Sequence, residues 1–587
     1  MISHARGATL IDTLVGVSLM LLVFVGIAAG FELAIDVVSN NKARIGALAL
    51  MQEQMEFVRS LPYESMGVSG GIPAGAVPQI ETVPLNGVSY TRRTLIRYYD
   101  DPNDGLAGAD TNGIVADAKE IKVSVSWQAP GGVRTLKLAS RASPKGIEQV
   151  VIGGTISVSV VNAASLPVAG ATVRIVNAST TPAIDITSLT NASGTTAFIG
   201  APQAGGYQVT ASLSGYSSAQ TYTATAQNPN PNPGHLTVSN NVTTAGTFAI
   251  DLLSQKTVHT YKQIETLTWE DLFNDDLKVA TTTNATIASG TAHLTGPAPY
   301  TGSGEVQSVS LSPSYLYQWD EIQWTDTEPA QTEIRYHVYY LDGADPTPIP
   351  DGVLPGNSAG FVTSPVDISG ISTTTYPSIR VRASLATTDN NETPTISSWR
   401  IVYENGPEPL GNIAFTMTGA KTIGTDGGGS AIYKYDTNST TDALGVLAFS
   451  GLEWDTYTIS VDGASIGYDI AESCEPQPRG LTPGVATTTR LYFAPHTTNS
   501  VLVDVRTTGG MLVPNASVRM YRVSSGYNTT QTTSGCGQTF FSGLSSGTVA
   551  GANPYSIDVT ATGYQAYTST EVDVSGTSRL SIVLTAL

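Results

Sequence analysis

The chain has 587 residues, a formal net charge of −19 and a charged fraction of only 13%. At about 100–200 residues per domain this length predicts several domains and excludes one compact core. The acidic balance disfavours nucleic acid as a partner, and two cysteines with six scattered histidines are too few for a metal-finger protein. No local serine, cysteine or metal motif of an enzyme is present, so we predict that the chain is not an enzyme and requires no cofactor.

An uncharged apolar stretch runs from Thr13 to Phe31 near the N-terminus. About 20 such residues cross the hydrocarbon core of a bilayer as one helix. The short leader before this stretch carries Arg6, whose positive charge favours the cytoplasmic side. We therefore predict a membrane-spanning helix over about 8–31, with the rest of the chain on the other side of the membrane.

The residues that open this helix are Arg6-Gly7-Ala8-Thr9-Leu10-Ile11-Asp12. They resemble the leader junction of type IV pilins and of the pseudopilins of secretion systems. The resemblance implies that a prepilin peptidase cuts after Gly7 and that the new N-terminal residue, Ala8, is N-methylated. Asp12 stands where most family members carry glutamate, and it is expected to pair with the N-terminal amine of a neighbouring subunit. An uncleaved signal anchor is the alternative interpretation.

The helical pattern continues beyond the apolar stretch and stops at Ser60-Leu61-Pro62. Its second half is apolar on one side, which predicts packing on a head. Strand-like runs at 88–99, 121–127 and 133–139 then predict a small antiparallel sheet on the helix. The expected pilin module, residues 8–149, is therefore an α+β unit.

An acidic loop joins the first two of these runs. Its candidate oxygen ligands for calcium are Asp100, Asp101, Asn103, Asp104 and Asp110. Their spacing does not match an EF-hand, and Asp, Asn and Gly also form ordinary turns. The loop is thus a candidate calcium site, with a solvated turn as the alternative.

From about residue 150 the composition shifts to Thr, Ser, Val, Ala and Gly in short strand-like runs, which is typical of β-sandwiches. A motif recurs three times: a glycine-to-phenylalanine run, a tyrosine-led strand and a closing Gly-Tyr pair. The copies close at Gly215-Tyr216, Gly467-Tyr468 and Gly563-Tyr564. We expect Phe198 and Phe540 to fill cores, and the strand tyrosines to pack inside rather than to form a ligand platform.

This motif resembles the carboxypeptidase regulatory-like sandwich, a transthyretin-like, CnaB-related Greek-key module of bacterial surface proteins. The resemblance implies Ig-like sandwiches at 150–256, 408–497 and 498–587. The intervening segment, 257–407, has four tryptophans and alternating runs, and it resembles the jelly-roll sandwiches of carbohydrate-binding modules. Its tryptophans are expected to be core anchors, with stacking on glycan rings as the alternative.

The two cysteines, Cys474 and Cys536, fall in the second and third regulatory-like sandwiches. In an exported chain a disulfide is favoured over two free thiols. We predict a bridge that joins the two modules, which requires their Cα atoms to lie within about 4.4–6.8 Å of each other. Two free thiols are the alternative.

The sequence therefore predicts a minor pilin or pseudopilin, a single-pass membrane subunit before assembly and part of an extracellular filament or the cell surface afterwards. It would insert its helix into a type IV pilus-like filament and display its β domains for adhesion, or as a tip or spacer element. Expected partners are other pilins or pseudopilins, the prepilin peptidase, the inner-membrane assembly platform and a surface glycan or protein. One alternative is a glycan- or protein-binding adhesin anchored without filament assembly, and another is a surface enzyme with carboxylates far apart in sequence.

The leader junction generates a first prediction. Cleavage after Gly7 leaves the apolar helix intact, so the mature protein extracted from membranes should begin at Ala8. N-terminal sequencing or intact-mass measurement checks this directly. A mature chain that still begins at Met1, in cells with an active prepilin peptidase, would show that the junction is not a processing site.

Overall fold

The computed structural model describes residues 10–101, 103, 114, 116–145, 150–342, 345–551 and 553–587. It consists of one long N-terminal helix, a four-stranded sheet packed on the end of that helix, and a series of β-sandwiches. The predicted fold class, a helix-plus-sheet module followed by an all-β array, is confirmed.

Helix α1 spans Leu10–Ser60. Between Thr13 and Phe31 no side chain is buried. In the C-terminal half of the helix, by contrast, the side chains on one side are buried. The buried hydrophobic residues of that side are Ala43, Ala47, Leu50, Met51, Met55 and Val58. Pro62 follows the end of α1 after one intervening residue, and because a proline disfavours helical geometry in the residue before it and cannot donate to a helix, α1 ends at Ser60.

The head sheet contains β1 (Ile80–Leu85), β2 (Val88–Tyr99), β3 (Ala118–Ala129) and β4 (Gly132–Ala142), antiparallel and in sequential order. Buried residues of β3, including Ile121, Val123 and Val125, share one core with the buried side of α1. The Tyr90 hydroxyl donates to the Ala43 carbonyl at 2.9 Å. The sheet therefore covers only the C-terminal half of the helix.

Lys119 ties the end of the helix to the sheet. Its Nζ donates to the carbonyl oxygens of Tyr63, at 2.7 Å, and Met66, at 2.9 Å, and it lies 4.6 Å from the centre of the Tyr63 ring. Burial lowers the pKa of Lys119 to about 8, because desolvation disfavours its charged form. The amine thus donates to two carbonyls of the turn after α1, one of which, that of Tyr63, also accepts the Met66 N–H at 3.1 Å.

The first sandwich follows the head. Its strands are β5 (Gly154–Val161), β6 (Thr172–Asn177), β7 (Ile184–Leu189), β8 (Thr195–Ala201), β9 (Ala204–Ser212), β10 (Ala219–Gln220), β11 (Asn230–Pro231), β12 (Leu236–Val238) and β13 (Thr243–Ala249). One sheet has the order β13-β5-β8, and the other has the order β10-β9-β6-β7 with β12 also on β9. The first strand, β5, pairs in parallel with the last, β13.

Strand β14 (Ser254–Lys262) comes next, and a separate sandwich follows it. The strands of this inserted domain are β15 (Glu265–Asp271), β16 (Val279–Thr283), β17 (Ala285–Ala288), β18 (Thr291–Leu294), β19 (Ser303–Ser308), β20 (Leu316–Thr327), β21 (Thr332–Asp342), β22 (Asp345–Pro348), β23 (Val366–Asp367), β24 (Arg380–Thr387) and β25 (Thr395–Asn405). They form two sheets, β17-β18-β25-β20-β23 with β15 on β25, and β16-β19-β24-β21-β22.

The chain then completes the sandwich that β14 began. Its remaining elements are β26 (Ala414–Gly419), β27 (Thr422–Thr425), β28 (Ala431–Tyr433), β29 (Asp436–Thr440), β30 (Val446–Leu452), β31 (Asp455–Ser460), α2 (Gly463–Ile466), β32 (Tyr468–Ser473), β33 (Arg479–Leu481) and β34 (Ala486–Pro495). Strand β14 lies between β30 and β34 in the sheet β30-β14-β34-β32. The predicted boundary between 256 and 257 therefore falls inside β14, and the tryptophan-rich domain is inserted into the second sandwich rather than placed before it.

The third sandwich contains β35 (Ser500–Thr507), β36 (Ser517–Arg522), β37 (Tyr527–Thr532), β38 (Gln538–Phe541), β39 (Tyr555–Thr560), β40 (Tyr567–Val572) and β41 (Thr577–Leu584). Its sheets are β38-β35-β41 and β37-β36-β39-β40. As in the other two sandwiches, the first strand pairs in parallel with the last.

A backbone contact that recurs in all three related sandwiches explains the glycine of the repeated motif. In each sandwich a backbone N–H of the first strand donates to the carbonyl oxygen of a glycine at 2.8 Å. The donor and acceptor pairs are Val160 and Gly194, Thr260 and Gly445, and Val505 and Gly537. All three glycines have positive φ, and a Cβ on Gly194 or Gly445 would lie 2.5 Å from a carbonyl oxygen. Within this chain, the motif therefore requires glycine for both conformation and space.

The equivalence of these glycines corrects one core residue. Phe198 is fully buried as expected, but the equivalent of Gly194 in the third sandwich is Gly537, which makes Phe541 the equivalent of Phe198. Phe541 is fully buried in the third core, whereas Phe540 packs against Ala471 of the second sandwich. The two adjacent phenylalanines lie on opposite faces of one strand, so a single-residue shift in alignment exchanges their roles.

The strand tyrosines are core residues, as predicted. Tyr207, Tyr457 and Tyr555 are buried, and each hydroxyl donates to a nearby backbone carbonyl, at 2.6, 2.9 and 3.0 Å. Burial raises the pKa of Tyr207 to about 12. A buried phenol needs such a partner, which explains why the motif carries tyrosine at a position where its tip reaches a turn.

The insertion point is a loop that is short in the other two sandwiches. In the first sandwich the backbone N–H of Asn162 donates to the carbonyl of Leu166, and in the third that of Thr507 donates to the carbonyl of Met511, both at 2.8 Å. At the equivalent place in the second sandwich, the backbone N–H of Lys262 donates to the backbone carbonyl of Glu408, also at 2.8 Å. The side chains of the same two residues form an ion pair at 2.6 Å. Residues 263–407 thus leave and re-enter the second sandwich at the two ends of one tight turn.

This geometry predicts that the insertion can be removed. Replacing residues 263–407 by Thr-Gly-Gly, the sequence of the third sandwich at 508–510, should leave the second sandwich folded. We expect its free energy of unfolding to fall by no more than about 1 kcal/mol, because the new loop is short and already suited to these ends. Thermal unfolding and limited proteolysis measure the change.

The matched control places the same Thr-Gly-Gly at 163–165 of the first sandwich, where it should also be tolerated. Loss of the second sandwich in the deletion variant, with the control intact, would show that the inserted domain is needed to fold its host.

Candidate functional site

The apolar half of α1 is the most unusual surface of the molecule. Its large hydrophobic residues from Ile11 to Phe31 are each 51–72% exposed. The helix is long and apolar enough to cross a membrane, with a mean hydropathy of 2.5 in its most apolar window and none of that window buried. Apolar surface on this scale is not stable in water, so it requires lipid or other protein chains to cover it.

The predicted processing and assembly residues lie at the start of this helix. Gly7 and Ala8 are outside the described residues. Asp12 is within α1, one residue before the uncharged stretch. Cleavage, N-methylation and pairing of Asp12 stay predictions.

Part of the predicted calcium loop is described, and it forms a turn. The Asp101 carboxylate accepts from the backbone and side-chain nitrogens of Asn103, at 3.2 and 2.8 Å, and the Asp101 N–H donates to Asp117 at 2.5 Å. This is the geometry by which aspartate stabilises a turn. Asp104 and Asp110 lie outside the described residues, and calcium binding at Asp100, Asp101 and Asn103 stays a prediction.

The head and the first sandwich are joined along the edge strand β7. The Asp185 N–H donates to the Gly70 carbonyl, and Arg93 donates to the Thr187 carbonyl, both at 2.8 Å. Gln79 donates to the Asp185 carbonyl at 2.5 Å. An open strand edge is a site of unwanted pairing, and here the head covers it. One continuous hydrophobic core then spans the head and this sandwich.

The first and second sandwiches are joined by their loops. Strand β11 pairs with β27, through Asn230 opposite Thr425, and Lys434 donates to the Ser218 carbonyl at 2.8 Å. Asn228 donates its side-chain amide to the Ile423 carbonyl at 3.0 Å. Backbone pairing across the joint constrains the two modules more than side-chain contact alone would.

The second and third sandwiches are joined by a disulfide. Cys474 and Cys536 are bonded in the structure, with their Cα atoms 4.6 Å apart. Beside them, the Ser473 N–H donates to Gln538 at 2.6 Å, and the Ser534 hydroxyl donates to Glu472 at 2.8 Å. Burial raises the pKa of Glu472. Glu472 and the two sulfurs lie close enough together for a metal, but sulfurs bonded to each other are not thiolate ligands.

The tryptophans of the inserted domain are anchors of its core. Trp319 and Trp399 are buried, and the Trp319 indole donates to the Tyr376 carbonyl at 2.9 Å. Trp324 stacks on the buried ring of Tyr336, with ring centres 4.0 Å apart. Trp269 also packs against this core. The core interpretation is confirmed, because two of the four tryptophans are fully buried and the other two are partly buried against the same core.

Two features of the head were not predicted from the sequence. Lys119 escaped notice because a single lysine in a strand carries no pattern. The basic side chains on the outer face of the head sheet also escaped notice, although Arg93 and Arg97 occur at even spacing on β2. Period-two placement of cations on adjacent strands is the signal that could have revealed them.

Comparisons with known proteins give no family. No family model matches this chain, and no curated protein matches it. Solved structures with some likeness include the Bacillus anthracis TIE protein, at 11% identity over 86% of this chain and 74% of that one, with a TM-score of 0.15. BcpA, the major pilin subunit of Bacillus cereus, is 10% identical over 74% and 100%, with a TM-score of 0.13. The shaft pilin SpaA from Lactobacillus rhamnosus GG is 14% identical over 31% and 90%, with a TM-score of 0.14. At such TM-scores the likeness carries no argument about function.

The joint between the last two sandwiches yields a prediction. Protein isolated from the cell exterior should contain the Cys474–Cys536 bond, which non-reducing peptide mapping detects. Replacing both cysteines by alanine should lower the free energy of unfolding of this joint by about 2–4 kcal/mol, because the bridge closes a loop of 62 residues.

Each sandwich core should survive the double replacement, because the bridge lies between the modules and not within either core. Free thiols on both residues in the exported protein would contradict the prediction.

Proposed function

We propose that this protein is a minor pilin or pseudopilin, a membrane-anchored subunit that inserts α1 into a filament and displays its sandwiches at the surface. The observation that carries the proposal is the division of α1 into two halves. The first half is apolar on all sides and uncovered, while the second half is buried on one side by the head. Such a helix is suited to lipid before assembly and to a bundle of identical or related helices afterwards.

The type IV character rests on the leader junction. The order of a charged leader, Gly7, Ala8 and then the apolar helix suits cleavage on the cytoplasmic side by a prepilin peptidase. Other pilins or pseudopilins and an inner-membrane assembly platform are the partners that this route requires. Asp12 would supply the carboxylate that pairs with a neighbour's N-terminal amine, since an ionised group in an apolar helix is costly unless it is paired.

A minor role follows from the bulk of the chain beyond the head. Residues 150–587 form four sandwiches, all of which project from a single helix. Close helical packing of subunits gives each one a narrow sector of the filament. Occasional incorporation, or a place at the tip, avoids collisions between neighbouring arrays and brings the outer sandwiches to a surface first. The role is structural or adhesive, not enzymatic.

One experiment tests both the assembly route and the minor role. Filaments would be isolated from cells that produce the wild-type protein, Asp12→Ala or Asp12→Glu, and labelled with immunogold against the third sandwich. We expect sparse or terminal labelling for the wild type, a loss of at least about tenfold for Asp12→Ala, and retention for Asp12→Glu, which restores the carboxylate. Peptide mapping of the Cys474–Cys536 bond controls for folding of the distal modules.

Dense, uniform labelling along the shaft, with this chain as the dominant band, would contradict the minor role. Equal labelling of Asp12→Ala and the wild type would contradict the pairing role. Retention of all three proteins in the membrane of cells that assemble filaments without them would favour the anchored adhesin instead.

A further inference from the structure

The outer face of the head sheet is strongly basic, although the protein as a whole carries a net charge of −19. Arg93 and Arg97 on β2, Lys122 on β3 and Lys137 on β4 line one cleft. The register explains their proximity, because Ser124 lies opposite both Arg93 and Lys137, and Lys122 lies opposite Leu95. Residues two apart on a strand share a face, so these cations stand together on the side away from α1.

The first sandwich provides the other wall and makes the face a cleft of about 660 Å³. That wall is rich in hydroxyl groups, contributed by Ser157, Thr187, Ser188, Thr190, Thr195 and Thr196. Leu95, Leu189 and Ile199 add apolar patches, and Tyr98 and Tyr99 lie at one end. A cleft of this size accommodates a ligand of several rings. It exists only because the head and the first sandwich are joined along β7.

The positive charge of the cleft is only partly compensated. Glu120 pairs with both Arg97, at 2.7 Å, and Lys122, at 3.0 Å, so one carboxylate serves two cations. Arg93 donates to the neutral Thr187 carbonyl. Within the described ranges Lys137 forms no ion pair, and Asp100 is the single acidic residue on the cleft lining. The balance is therefore a local excess of positive charge, which concentrates anions in a confined space.

We propose that this cleft binds an anionic oligosaccharide, a short sugar chain that carries carboxylate groups. Guanidinium and ammonium groups on the head form charge-assisted hydrogen bonds with carboxylates. Hydroxyl groups on the sandwich both donate and accept, which matches the hydroxyls of a sugar ring. The apolar patches suit the C–H faces of the rings. An acidic peptide would use the cations equally well but would leave the hydroxyl wall with fewer partners.

The proposed site differs from the distal modules to which adhesion was assigned above, and it does not depend on filament assembly. It lies at the joint between the membrane-proximal head and the first sandwich. Ligand binding there would also hold the two walls together, since each wall contributes different groups to the same ligand.

Titration of the full-length protein in detergent micelles tests the proposal. The probe is trigalacturonate, and its fully methyl-esterified form is a neutral control with the same ring skeleton. We expect saturable binding of the acid form, little binding of the ester, and weaker binding as salt rises, because the contact is electrostatic. Lys137→Gln should weaken binding of the acid form by about tenfold, the size expected for one charge-assisted hydrogen bond.

Arg134→Gln is the matched control. Arg134 lies on the same strand, is exposed and carries the same charge. In the strand register it lies opposite the buried Trp127, on the other face of the sheet, and it does not line the cleft. Its replacement should leave binding unchanged. Both positions are exposed, so neither variant threatens the fold, and thermal unfolding verifies this.

Three results would overturn the proposal. The first is the absence of saturable binding of trigalacturonate. The second is an equal loss of binding in Arg134→Gln and Lys137→Gln, which would indicate nonspecific attraction. The third is equal or tighter binding of tetraglutamate, which would assign the cleft to acidic peptides.

Discussion

Parallel pairing of the first strand with the last closes each of the three related sandwiches. In each, a chain that enters along one strand leaves along its neighbour in the same direction. The chain therefore enters at one end of the module and exits at the other. Only residues 250–253 separate β13 from β14, and only 496–499 separate β34 from β35. Such short connections force successive modules into contact, and the joints follow from this constraint.

The second sandwich accommodates a further domain at one of its turns. The turn after the first strand lies beside the end of the last strand, because Lys262 is opposite Phe493 in the parallel pair. The two ends of that turn are fixed by backbone hydrogen bonds, as between Lys262 and Glu408. The inserted domain leaves the pairing of the first and last strands in place, since β14 and β34 stay in continuous register. The second sandwich thus keeps the fold of its neighbours while it carries the tryptophan-rich domain.

The head links two very different environments. Its inner face buries one side of α1, and Lys119 fixes the end of the helix through the carbonyls of Tyr63 and Met66. Its edge and outer face meet the first sandwich, where Arg93 both covers strand β7 and lines the basic cleft. The apolar helix that we assign to a membrane or filament is therefore coupled, through one small sheet, to the array of sandwiches and to the proposed ligand site.

The sequence by itself determined the long helix, its apolar half, the head strands and the three related sandwiches, because these depend on local periodicity and on repeats. Phe198 and the core tyrosines could be predicted for the same reason. Only the tertiary structure decided that β14 belongs to the second sandwich, since a strand's partner, β34 in this case, can lie more than two hundred residues away. Register likewise decided that Phe541, rather than Phe540, fills the third core. The basic cleft could not be predicted from the sequence because its two walls come from separate modules. Residues such as Lys137 and Thr195 line one cleft only when the head packs on the first sandwich.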